Sequence, residues 1–150
     1  MDNDNNDQVN LDTLDLSNTK TGFPLVPAGL YTLVVSEITF AENSKKTGQN
    51  MKIKLALKEP TNDLEGNLVN AGFPLFDQVS LVQTKDDAGN IKYDPRKRLA
   101  EFMEATLGHH NGNFNPTAQY IGMEVQARVK VEDDPEYGKS NRIARYIKKA

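Results

Sequence analysis

From Met51 to Lys58 the chain alternates: Met51, Ile53, Leu55 and Leu57 are large and apolar, and Lys52, Lys54, Ala56 and Lys58 fall between them. A period of two puts the first set on one face of a strand and three lysines on the other. The same rhythm returns near the C-terminus. There Met123, Val125, Ala127, Val129 and Val131 point inward, and Glu124, Gln126, Arg128, Lys130 and Glu132 point outward. Leu30 to Phe40 is a β-branched and aromatic run, apolar on both faces in its middle, which predicts a central strand. Phe73 to Gln83 predicts a third strand, with Phe73, Leu75, Val79 and Leu81 on one parity and Asp77 breaking it. A last strand is expected from Asn141 to about Lys148.

One stretch has a helical period instead. Leu99, Phe102, Met103, Thr106 and Leu107 recur at spacings of three and four. Asp94 supplies an N-cap, Pro95 suits the first helical position, and Gly108 suits a left-handed stop. The order β-β-β-α-β-β predicts a mainly β chain, a five-stranded OB-fold-like barrel with one helix between strands 3 and 4. The connection Glu59 to Gly72 is long and rich in turn residues, so a small hairpin is expected inside it. Gly-Phe-Pro-Leu occurs at 22–25 and 72–75, but the residues after the two copies differ, so no repeat is inferred.

Charge divides the chain. Residues 1–19 hold five acids, Asp2, Asp4, Asp7, Asp12 and Asp15, and no base. Removing them from the 21 acids leaves 16 against 18 bases in residues 20–150, a net of +2. Residues 1–21 therefore read as a flexible acidic arm, too poor in apolar side chains to offset the entropy of ordering. Residues 22–150 read as the OB-fold-like domain. The sequence leaves open whether the arm competes for a cationic groove or only aids solubility. A calcium loop in the arm fails, because Asp7 and Thr13 stand where such a loop needs Gly and Glu.

The absence of cysteine removes disulfides, thiol catalysis and cysteine-ligated zinc. His109 and His110 are adjacent and lack a paired ligand motif, and the turn Asp133-Asp134-Pro135 is ordinary in composition. With no phosphate loop, nucleophile elbow or zinc signature, neither catalysis, cofactor nor metal is expected. No signal peptide and no apolar run of about 18 residues is found, which leads to the expectation of a cytoplasmic protein without a membrane partner.

OB barrels bind through their second and third strands and through the loops joining strands 1–2 and 4–5. The first loop here holds Lys45 and Lys46, and the open face of the second strand adds Lys52 and Lys54. The second loop holds Tyr137 and Lys139, with Arg142 just beyond. Cations neutralise phosphates and an exposed ring stacks on bases. Arg128, Lys130 and Arg145 complete the candidate set, Tyr137 being its stacking member, while Phe73 and Phe76 are expected in the core or a lid.

Val26-Pro27-Ala28-Gly29-Leu30-Tyr31, Ser44 to Met51, Phe76-Asp77, Gly122 with Val125, and Tyr137 to Ile143 together resemble a family of phage-encoded proteins similar to single-stranded-DNA-binding proteins. The resemblance implies a phage OB-fold protein of DNA replication or recombination that coats single strands without sequence preference. Its implied partners are single-stranded DNA, replication or recombination proteins and, in a homo-oligomer, further copies of the chain. One departure stands out: such binders often carry a C-terminal acidic tail, whereas here the acidic arm is N-terminal and the C-terminus is basic. The alternative reading is a protein-interaction or virion structural β-barrel module without nucleic-acid binding.

Overall fold

The alternating segments become the long strands of one antiparallel sheet in the computed structural model, which describes residues 10–17, 24–115, 118–136 and 138–149. In chain order the strands are β1 (Gly29–Glu42), β2 (Gln49–Leu57), the small hairpin β3 (Thr61–Asn62) and β4 (Leu68–Val69), and β5 (Pro74–Ser80). A second hairpin, β6 (Thr84–Lys85) and β7 (Ile91–Tyr93), precedes α1 (Pro95–Leu107), and β8 (Glu124–Asp134) and β9 (Gly138–Ile147) come after it. The long strands lie in the order β5-β2-β1-β8-β9. Residues 1–9 and 18–21 of the expected arm lie outside the described residues; within 10–17, Leu11, Leu14 and Leu16 are exposed.

The chain is mainly β, with one α-helix among the described residues, but two expectations need correction. No ladder of backbone hydrogen bonds joins β5 to β9, so the sheet does not form a closed barrel. The helix does not sit between the third and fourth strands. It comes after β7 and before β8, because both connecting stretches fold into hairpins of their own. The first of these hairpins is the one its turn residues predict. The second closes over residues 86–90, whose composition alone signals only a turn.

The core lies on the inner face. Leu33 and Val35 from β1, Met51, Ile53 and Leu55 from β2, Val79 from β5 and Val125 and Ala127 from β8 are all buried. β1 is the central strand of the sheet, as expected; on its outer face Thr32 and Val34 are half-buried, and Leu30 near its start is 50% exposed. Phe102 from α1 plugs one end, with its ring 5.2 Å from Tyr146 and 5.4 Å from Tyr120. The helix ends agree with the expectation from sequence. Asp94 accepts from the Arg96 N–H at 2.9 Å, and Gly108, at φ 87°, donates its N–H to the Glu104 carbonyl at 3.1 Å.

Side chains bridge the gap between β5 and β9. Asp77 on β5 faces inward, and its Oδ2 accepts from the Tyr146 hydroxyl of β9 at 2.7 Å. The Arg98 guanidinium reaches from α1 to the same oxygen, with Nη2 at 3.1 Å and Nε at 3.3 Å. Arg98 also donates to the Ile143 carbonyl at 2.8 Å and the Ala144 carbonyl at 3.3 Å. These acceptors on the edge of β9 are thereby satisfied by an arginine rather than by a neighbouring strand. Burial, and after it the Asp77 charge, holds the Tyr146 hydroxyl well above the usual tyrosine range, so it stays protonated and donates.

Tyr146→Phe removes a hydrogen bond to a charged acceptor and is expected to lower stability by about 1.5–3 kcal/mol in urea denaturation. Asp77→Ala should cost more, about 3–5 kcal/mol, because it leaves the Arg98 charge without its partner. Equal stability of Tyr146→Phe and the parent would contradict this account of the seam.

Candidate nucleic-acid interface

The outward face of β2 is set by the alternation that buries its other side. Lys52 is exposed and stands opposite Gln78 of β5; Lys54 is half-buried and stands opposite Phe76. Phe76 is 50% exposed, which corrects its expected place in the core or a lid. The reason is parity: Leu75, Asp77 and Val79 point inward, so the residue between the first two must point out. The signal was present in the sequence, since Phe76 falls off the parity of Leu75 and Val79.

At one end of this face lies the loop from Asn43 to Gly48. Asn43 Oδ1 accepts from the Thr47 N–H, and Asn43 Nδ2 donates to Thr47 Oγ1, both at 3.0 Å. A Cβ at Gly48 would overlap Val82 Cγ2, so glycine is what lets the loop lie against the chain just beyond β5. Lys46 takes φ 56°, the one left-handed non-glycine among the described residues, at a cost of about 1 kcal/mol. Lys45 and Lys46 are both exposed on this braced loop.

At the other end an open groove of about 280 Å³ separates the start of β5 from the start of β9. Phe73, Phe76, Lys139 and Asn141 are among its walls. The Asn141 side chain accepts from the Val26 N–H and donates to the Val26 carbonyl, both at 2.9 Å, which pins residues 24–27 beside the groove. Lys52 and Lys54 thus share a face with the exposed ring of Phe76, Lys139 shares its groove, and Lys45 and Lys46 stand exposed on the loop that leads into β2. Tyr137, the expected stacking residue, lies outside the described residues.

Arg128, Lys130, Arg142 and Arg145 belong to a different stretch of surface, the outward rows of β8 and β9. In the sheet β1 separates β8 from β2, a distance of about 10 Å at ordinary strand spacing. Arg128 stands opposite Arg145, and Lys130 opposite Arg142. Glu132 offsets the second pair, at 3.0 Å from Lys130 Nζ and 3.1 Å from Arg142 Nε. Among the described residues no carboxylate pairs with Arg128 or Arg145.

Among the described residues no group of three His, Asp or Glu side chains is placed to hold a metal ion, and no helix is long and apolar enough to cross a membrane. No family model matches the chain, and no curated protein matches it significantly.

The Lys130 hydrogen bond, and to a smaller extent the Arg142 charge, holds the Glu132 carboxyl below the usual glutamate range. A lowered folded-state pKa means the interaction is present above the unfolded pKa and lost as pH falls through the folded value. In a carboxyl-carbon NMR titration Glu132 should have its midpoint below 4.5. Lys130→Met should raise that midpoint more than Arg142→Gln. An unmoved midpoint in Lys130→Met would contradict the assignment.

Proposed function

We propose that this chain is a non-catalytic, OB-like protein that binds single-stranded DNA without sequence preference, in the host-cell cytoplasm during phage DNA replication or recombination. The observation that carries the reading is the exposed Phe76 ring, beside Lys54 on β2 and sharing a groove with Lys139. Single strands offer what this surface takes: a line of phosphates for the cations and unstacked bases for the ring. A duplex offers phosphates but keeps its base faces stacked.

Topology supports the reading. In chain order β2 and β5 are the second and third long strands of the five-stranded sheet, and they lie side by side. Loop 43–48 joins the first two, and 135–137 joins the last two. These are the strands and loops through which OB folds bind oligonucleotides. The seam bridged by Asp77, Arg98 and Tyr146 fits the partly open form of that barrel. The part in phage replication or recombination rests on the sequence resemblance alone.

Binding of a labelled oligothymidine, followed by anisotropy at several salt concentrations, tests the proposal. If Lys45, Lys46, Lys52, Lys54 and Lys139 each meet a phosphate, log K should fall against log salt with a slope of about −3.5. Phe76→Ala should weaken binding by about 1–3 kcal/mol, and Phe76→Tyr much less, because the ring face does the stacking. The melting temperature should barely move in either variant. No binding to the single strand at low salt would leave the interaction-module reading in its place.

A further inference from the structure

A second concave surface lies away from the β2–β5 face. A cleft of about 760 Å³ opens where the outer rows of β1 and β8 meet the end of β9, walled in part by Met123, Gln126, Ile147, Lys148 and Lys149. Thr32, Gln126 and Ile147 form one cross-strand row in it. The next row along the same outer face is Leu30, Arg128 and Arg145. The one carboxylate lining the cleft, Glu124, is bound by Lys58 at 2.7 Å. The cleft itself supplies apolar walls from Met123 and Ile147 and cations from Lys148 and Lys149, and the row beside it adds Leu30, Arg128 and Arg145.

Two arginines directly opposite on neighbouring strands repel each other and lower the stability of the sheet. Among the described residues no ion pair uses them: both are exposed, and Glu132, two rows along β8, is held by Lys130 and Arg142. Among the described residues this surface bears no exposed aromatic ring, so it lacks the stacking element of the β2–β5 face. It fits a short acidic segment with aliphatic side chains better than a nucleic acid.

Such a segment is present in the same chain. Residues 10–17 read Asn-Leu-Asp-Thr-Leu-Asp-Leu-Ser. Leu11 and Leu16 are 79% and 62% exposed and Leu14 is 42% exposed, so much of their apolar surface faces outward. Asp12 and Asp15 alternate with them, so that leucines match the apolar walls and aspartates the cations.

We infer that residues 10–17 of one copy dock in the β1–β8–β9 cleft of the next, the leucines entering between Leu30 and Ile147 and the aspartates meeting Arg128, Arg145 and the terminal lysines. Donor and acceptor surfaces differ, so the contact is head-to-tail, giving a ring where the rotation between copies closes and an open chain where it does not. A contact this small is weak between free molecules. It strengthens when neighbouring copies are held side by side on a common template, because docking is then intramolecular.

The test is sedimentation velocity of the full chain at low salt, without nucleic acid, across a wide concentration range. The parent should show a sedimentation coefficient that rises with concentration. The variants Arg128→Glu with Arg145→Glu, and Leu11→Ser with Leu14→Ser and Leu16→Ser, should each weaken self-association about tenfold or more. Both should melt as the parent does. Mixing the two variants should restore association, because one supplies an intact segment and the other an intact cleft. Failure of the mixture to associate overturns the inference, as does a concentration-independent monomer in the parent. Loss of association in Lys52→Glu with Lys54→Glu but not in the arginine variant would place the segment on the β2–β5 face and also overturn it. None of these outcomes depends on whether the chain binds DNA.

Discussion

A single carboxylate oxygen ties together the two edge strands of this sheet. Asp77 Oδ2 receives the Tyr146 hydroxyl from one edge strand and the Arg98 guanidinium from the helix, and the same guanidinium satisfies two carbonyls of β9. Arg98 also lies over the Tyr146 ring, 4.8 Å from its centroid, a geometry that attracts a cation to a ring face. Three elements far apart in sequence thus meet at one buried anion. The cost of burying it is offset because every group around it is paired. Among the described residues no buried side-chain nitrogen or oxygen is left without a partner.

The same constraint shapes the outer surface. With Asp77 turned inward, its neighbours Phe76 and Gln78 must face out. The exposed ring beside Lys54 is therefore the reverse side of the seam. The two charged surfaces differ because their carboxylates do. On β8 and β9 Glu132 holds Lys130 and Arg142, whereas among the described residues no ion pair engages Lys52 or Lys54.

How much of the fold is legible in the sequence depends on how local each feature is. The caps of the helix depend on Asp94, Pro95 and Gly108 and their immediate neighbours, so they can be read directly. The alternation of Met51 to Leu57 fixes its own faces and needs no partner strand. The seam is not legible, because Asp77 and Tyr146 are 69 positions apart and an inward aspartate reads as a break in a pattern. Of the candidate cations, parity shows that Arg128 and Lys130 point outward, but not that β1 stands between them and β2. Phe76 is misplaced when aromatic residues are assigned to the interior by type, although the parity of Leu75 and Val79 already points it the other way.

The central position of β1 has a further consequence for how the chain acquires its shape during synthesis. β1 pairs on one side with β2, the next long strand, but on the other side with β8, so that Gly29 meets Val129. The β1–β2–β5 half can assemble from neighbouring segments as soon as they emerge. Until β8 and β9 arrive, however, one edge of β1 stays unpaired and Asp77 lacks Tyr146. Contacts of such long sequence separation are slow to form, because the loop between them must close first. The β1–β2–β5 half can therefore form only with an open edge on β1 until β8 and β9 follow.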